Sequence, residues 1–277
     1  MINVIGIGKA GCAIADIFAN YPQYNIYKID VGLEGKNCLS VKKQKGPEEY
    51  ENNYEGSNNL FDTLEGMSYI VLGGSGDISA ICLRLMEEIK DKTKITVIYI
   101  SPDKTLLSAN KKMHEKVTYN VLQEYARSGA IERVYLVSNT EVETVIGDVP
   151  IIGYYEKLNN VIVSTLHMIN VCSNQTPVMG ALEEPGLTRR ISTFGLYDIS
   201  EDKEKLFFSL DSPRESCYIY CVGEKRLRAD GTLHKTIITQ MKGKIKDEIQ
   251  EISYGVFSTN YEENYGYVTV HSPMIQN

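Results

Sequence analysis

Two glycine-bearing segments hold the residues best suited to chemistry. Gly6-Ile7-Gly8-Lys9-Ala10-Gly11 follows the apolar run INVIGI (residues 2–7), leads into Cys12 and fits G-x-G-x-x-G. Placed between a strand and a helix, such glycines let the backbone approach a phosphate and aim free N–H groups at it. Asp30 ends a second run, YNIYKID, where a dinucleotide fold places the carboxylate that takes a ribose. That pair alone suits NAD, and a plain alternative is a tight strand-to-helix turn with an Asp capping a loop. The second segment, LGGSGD (residues 72–77), also lies between a buried apolar run and a helical pattern. Two anion-ready loops on neighbouring strands can hold one polyphosphate between them. Gly73, Gly74, Ser75, Gly76 and Asp77 therefore move the expectation from a dinucleotide toward a mononucleotide triphosphate. The competing use of Gly73 and Gly74 is close packing of a strand on a helix.

Other reactive side chains are scattered. His114, His167, His234 and His271 have no ligand or base spacing, and no nucleophile-elbow, Walker-type or paired-carboxylate motif stands out. Six cysteines at 12, 38, 82, 172, 217 and 221 form no C-x-x-C pair, which suits buried thiols in a reducing compartment rather than disulfides or structural zinc.

The elements that must position the glycine loops are read from periodicity. Apolar runs at 2–7, 24–30, 67–72, 94–101 and 131–139 predict strands, alternating with helical patterns that include ISAICLRLMEEIKDK and MHEKVTYNVLQEYARSG. Short apolar strands alternating with helices describe a parallel sheet covered on both faces. Residues 33–59, charged and glycine-spotted, read as surface loops with one short helix. A long helical pattern occupies 152–171. Beyond it, ISTFGLYDI, SCYIYCVG, EISYGVFST and YGYVTVHS predict strands, with one charged helix, LHKTIITQMKGKIKDEI, among them. The expected organisation is an α/β nucleotide-binding domain over 1–150, a connecting helix over 151–172 and a smaller α+β domain over 173–277.

Composition excludes several classes. The 277 residues carry 29 Lys and Arg against 36 Asp and Glu, a net charge of −7, so no global positive field draws the chain to nucleic acid or anionic membranes. A local patch at Lys42, Lys43 and Lys45 is the exception. No apolar run approaches the ~18 residues of a membrane span. The opening MINVIGIGKAG enters a strand without a charged leader or apolar signal core, so a cytoplasmic protein is expected.

The stretch LEGMSYIVLGGSGDISAICLRLMEEIKDKTKITVIYISPD resembles the signature region of the tubulin/FtsZ family, with its strand, its glycine-Ser/Thr-glycine phosphate loop, its helix and its strand ending before a proline. The similarity continues in element order through LLSANKKMHEKVTYNVLQEYARSGAIERVYLVSNTEVETVIG and the long helix to the closing strands. The resemblance implies a Rossmann-like GTP-binding domain, a central connecting helix and an α+β activation-type domain in a reduced family member. It implies that Gly8, Lys9, Ala10, Gly11 and Cys12 form the first phosphate loop, Gly73 to Asp77 the second, and Asp30 the acidic end of the second strand. It further implies that Tyr155 stacks on guanine and Asn159, four residues on and on the same helix face, bonds the base edge. An exposed Tyr and a solvated Asn are the plain alternative.

The departures from the family pattern are local. Asp77 stands where the family has Thr or Ser beside the terminal phosphates, so Mg²⁺ or Lys9 must offset its charge, and Asp77 is the expected metal ligand. The loop that wraps the γ-phosphate has shrunk to Lys45-Gly46-Pro47-Glu48-Glu49. The family completes its GTPase site with acidic residues that the next subunit supplies from the loop after the connecting helix. Here that loop is SNQTPVMGALEEPGLTRR, and only Glu183 and Glu184 can replace the usual pattern; otherwise they are a solvated acidic turn before Pro185. The resemblance thus implies GTP or GDP with Mg²⁺, head-to-tail filaments of the chain with itself, and weak hydrolysis. The chain ends in a strand-like alternation, so the expected partner is a DNA- or particle-bound adaptor rather than a membrane. Two rivals stand beside it: a nucleotide-free pseudo-GTPase with a structural or adaptor role, and an NAD-binding oxidoreductase.

Overall fold

In the computed structural model, which describes residues 1–277, the chain divides into two units, Met1–Val163 and Ser164–Asn277. The first unit contains β1 (Ile2–Ile7), α1 (Gly8–Phe18), β2 (Tyr24–Val31), β3 (Cys38–Val41), α2 (Pro47–Asn52), β4 (Met67–Gly73), α3 (Ile81–Ile89), β5 (Lys94–Ser101), α4 (Ala109–Ser128), β6 (Arg133–Ser138), α5 (Asn139–Ile146) and the start of α6 (Tyr154–Ser173). Its strands lie in the order β3-β2-β1-β4-β5-β6, and every neighbouring pair is parallel. The central strands are near-continuous buried apolar runs, as a sheet covered on both faces requires: Val4, Ile5, Ile70, Val71, Leu72, Val97, Ile98 and Leu136 have no exposed surface.

Helix and strand packing explains the glycines of the first motif. A Cβ on Gly6 would overlap the Gly11 carbonyl, and one on Gly11 would overlap the Val71 carbonyl of β4, so α1 lies closer to the sheet than any side chain allows. Gly8, at φ +67°, turns the chain from strand into helix. The helix begins at Gly8 itself, so the expected loop of Gly8 to Cys12 is the first turn of α1. Helix α4 is capped at its start by Ser108, whose Oγ accepts from the Lys111 amide at 3.4 Å, and ends at left-handed Gly129, as its sequence predicts. Residues 33–59, expected as loops with one helix, hold strand β3 as well as α2. Only four residues long and half-buried, β3 lacks the apolar run that betrays its neighbours.

The second unit receives the end of α6 and contains β7 (Met179–Ala181), β8 (Ile191–Asp198), β9 (Lys203–Leu206), β10 (Glu215–Gly223), α7 (Glu224–Ala229), α8 (Leu233–Lys244), β11 (Glu251–Thr259) and β12 (Tyr265–Ser272). Strand order is β9-β8-β12-β10-β11-β7, antiparallel except for the β10–β11 pair. All nine residues of β10 are buried, and its Tyr218, Tyr220 and Val222 pack with Tyr197, Val256, Val268, Val270 and the Leu233-Ile237-Met241 face of α8. The expected α+β organisation is present, with β7, β9 and α7 added to the elements legible in the sequence. No helix of the molecule is long and apolar enough to cross a membrane.

Candidate functional site

In the first unit the chain builds outward from β1 in one direction through β2 and β3, and in the other through β4, β5 and β6. In an open parallel sheet the ligand crevice lies beyond the carboxyl ends of the strands at the point where this order reverses. That point is the β1/β4 pair, whose register runs from Ile2 opposite Met67 to Ile7 opposite Leu72. Both glycine segments emerge there, one from each strand.

At the end of β1, α1 starts with no side-chain cap and no acidic residue in its first turn. Ile7, at the N-cap position, cannot accept from the free amides, which therefore face outward as donors beside exposed Lys9 and Ala10. Cys12 is turned the other way. Its Sγ lies 3.4 Å from the Gly6 carbonyl and 3.7 Å from the Ile29 carbonyl, and burial together with the nearby Asp30 charge pushes the thiol up to about 12. Cys12 fastens α1 to β1 and β2 as a protonated thiol. Asp30 lies at the end of β2, half-buried, with Oδ1 accepting from the Val31 amide at 2.8 Å.

At the end of β4 the second segment folds as a turn. The Gly74 amide donates to the Ile100 carbonyl at 2.9 Å and the Gly76 amide to the Gly73 carbonyl at 3.2 Å, while Ser79 Oγ donates to the same Gly73 carbonyl at 2.7 Å. The Ser75 and Asp77 amides take no part in those bonds, and Asp77 opens a 3-10 turn, Asp77–Ala80, that leads into α3. Gly73 meets the Ala10 methyl, so the two segments adjoin each other. Lys111, in the first turn of α4, reaches the Ser75 carbonyl with Nζ at 3.4 Å. It supplies a cation at the second loop that no motif marks; the signal available was the Asn110-Lys111-Lys112 run, two residues after the Ser108 cap.

Tyr155 and Asn159 share one face of α6, but in different surroundings. Tyr155 is 66% exposed and Asn159 only 8%. The exposed ring stands edge-on to Tyr154, whose hydroxyl donates to Glu143 on α5 at 2.7 Å; that bond is the main reason the Tyr154 phenol is pushed up to about 12. Asn139, at the junction of β6 and α5, has an enclosed Oδ1 without a hydrogen-bond partner. A buried acceptor left open at the carboxyl end of a strand invites a donor from outside the protein. Sequence reading missed it, because one Asn after an apolar run is an ordinary helix start.

Glu183 and Glu184 belong to the second unit. Both are exposed, on a loop that is otherwise pinned. Glu215 accepts from the Gly186 amide and from Arg189, each at 3.0 Å, and Arg189 also pairs with Glu251 at 2.5 Å. The Arg189 hydrogen bond holds the Glu251 carboxyl below its usual range. The histidines have structural surroundings where they are buried: His271 Nδ1 lies 2.7 Å from Ser192 Oγ and Nε2 3.1 Å from Thr269 Oγ1.

No family model matches the sequence. No curated protein matches it either. Solved structures match the whole chain. A GTPγS-form protofilament of TubZ from Bacillus thuringiensis serovar israelensis superposes with TM-score 0.73 at 15% identity, covering 99% of this chain and 87% of that one. GDP-bound CetZ1 from Haloferax volcanii gives 0.66 at 13% identity, covering 99% and 94%. FtsZ from M. jannaschii gives 0.59 at 11%, covering 98% and 87%. With matches of this extent along the full chain, the protein has the tubulin/FtsZ fold.

Proposed function

We propose that the protein binds a guanine nucleotide at the β1/β4 crevice and assembles head to tail into cytoplasmic filaments. The observation that carries this reading is the pairing of two donor-bearing glycine turns on adjacent parallel strands, with their faces adjoining at Gly73 and Ala10. A dinucleotide needs only the first turn, whereas a polyphosphate uses both. The first-turn amides of α1 and the side chain of Lys9 take the inner phosphates. The Ser75 and Asp77 amides, with Lys111, take the terminal one. Asp30 lies on the ribose side, and Tyr155 offers its exposed ring to the base while Asn159 and the open Asn139 Oδ1 accept from its edge. The structures of TubZ in a GTPγS-form protofilament and of CetZ1 with GDP support the same choice of ligand and assembly.

Asp77 fits a role as metal ligand because it is half-buried at the start of a turn that otherwise presents donors to the phosphates. Mg²⁺ bound there would neutralise phosphate charge. Glu183 and Glu184 are free to approach a neighbour's nucleotide, since Arg189 is engaged by Glu215 and Glu251 rather than by them. They orient water weakly, and turnover is slow. Filaments of this kind would carry a DNA- or particle-bound adaptor.

The deciding experiment is denaturation of the purified protein and chromatography of what it releases. Guanine nucleotide is the expected result. Release of NAD would establish the oxidoreductase reading, and a protein that neither releases nor takes up nucleotide would be a pseudo-GTPase.

A further inference from the structure

Directly beneath the second glycine turn lies a buried polar cluster that phosphate binding does not use. Tyr99, on β5, has no exposed surface, and its hydroxyl donates to Glu115 Oε1 at 2.7 Å. Glu115, on α4, is itself only 1% exposed. Lys104 Nζ approaches the same oxygen at 3.5 Å from the rim and stands 4.8 Å from the centre of the Tyr119 ring, which in turn packs on Tyr99 at 5.4 Å. Above the phenol sits Gly74. A Cβ at Gly74 would fall inside the Tyr99 hydroxyl, so the turn rests on the oxygen with no side chain between them. The Gly74 amide is bonded to Ile100, the residue after Tyr99, so the turn is also tied to the strand that carries the phenol.

Filling space beneath a turn needs only an apolar side chain, and burying a carboxylate there is costly unless donors satisfy it. Glu115 adds direction: it holds the phenol at one height and one rotation. We propose that Tyr99, oriented by Glu115 and Lys104, is a positioning residue that sets the second glycine turn at the height where its amides meet a terminal phosphate. The inference rests on the nucleotide reading for its ligand, but the support of the turn is a property of the protein alone. Burial and the Glu115 charge both push the Tyr99 phenol up, so the hydroxyl keeps its proton and donates throughout the working range.

Three variants test it. Tyr99→Phe removes the hydroxyl, Glu115→Leu removes the acceptor at similar size, and Glu115→Gln keeps an acceptor. Exchange of the hydrogen-bonded Gly74 and Gly76 amides of the nucleotide-free protein should quicken about tenfold in Tyr99→Phe and Glu115→Leu, the factor that loss of one hydrogen bond of ordinary strength produces, and stay near the parent in Glu115→Gln. GTPγS affinity should fall by a similar factor in the first two variants while GDP affinity changes less than about twofold, because only the terminal phosphate meets this turn. Should Glu115→Leu fail to fold, Tyr99→Phe decides alone. Parental exchange in Tyr99→Phe overturns the inference, as does an equal loss for both nucleotides. Faster exchange in a protein that binds no guanine nucleotide overturns the nucleotide reading and leaves the support of the turn established.

Discussion

At the scale of single residues, the proposed site combines one exposed ring with acceptors that are enclosed. Stacking on Tyr155 is available without rearrangement because two-thirds of that side chain already faces out. Tyr155→Ala should therefore weaken guanine nucleotide binding by about 1–3 kcal/mol, the range for an aromatic stacked on a base, with titration calorimetry as the measure. Equal affinity of the parent for ATP and GTP would remove the guanine assignment. Asp77 gives a second prediction. A carboxylate a few ångströms from a triphosphate is tolerated chiefly when a divalent cation bridges them. Chelation should thus weaken GTP binding more than GDP binding, and Asp77→Thr should narrow the difference. Identical affinities with and without chelator would place Asp77 outside the site. The thiols offer a third. Burial raises Cys12 and Cys82 to about 12 and Cys217 to about 11, and Cys172 and Cys221, 3.9 Å apart, are enclosed. At pH 8 a thiol reagent should find Cys38 quickly and the other five only on unfolding. Rapid labelling of two or more cysteines in the native protein would contradict the packing described for α1 and β10.

At the scale of elements, what could be read in advance depended on burial. Strands β1, β4, β5, β6, β10, β11 and β12 are largely enclosed, so each needs an apolar or alternating run that is visible in sequence. Strands β3, β7 and β9 hold three or four residues each with much of their surface open, and they form because a longer neighbour offers a free edge. Nothing local announces such strands. The glycine turns were legible because the fold imposes residue type there, whereas Lys111, Asn139 and the Tyr99-Glu115 support came together only through the sheet order. Close packing of α1 on β4 carries its own prediction. Gly11→Ala forces a methyl into the Val71 carbonyl, and overpacking of this kind costs about 1–3 kcal/mol or more. Urea unfolding should show a lower midpoint at unchanged slope, and nucleotide affinity should fall with it because the helix start moves. A variant as stable as the parent would show that α1 can lift from the sheet freely.

For the whole molecule, the two halves of the proposed chemistry lie in different units, the glycine turns before Val163 and the glutamates after Ser164. If Glu183 and Glu184 serve a neighbour's nucleotide, one chain alone holds an incomplete site. Phosphate release per subunit should then rise steeply above a critical concentration, in step with light scattering. Glu183→Ala combined with Glu184→Ala should give longer-lived filaments without preventing assembly. Turnover that is flat with concentration would rule out a shared site, and filaments that form identically without nucleotide would favour a purely structural role.

The shortness of β3, β7 and β9 has a consequence for how copies of this chain can meet. An outermost strand is a template for strand addition, and such addition is hard to reverse because each new copy exposes another edge. Here β3 offers four residues and is followed at once by Lys42 and Lys43, β9 is four residues with Lys203 and Lys205 among them, and β7 is three. Too little ladder is on offer to zip a second molecule in place, and the charges repel it. Association is left to loops and helix faces, whose contacts can be broken one at a time. Short, charged edges of this kind disfavour the edge-to-edge addition through which strands grow into amyloid-like stacks.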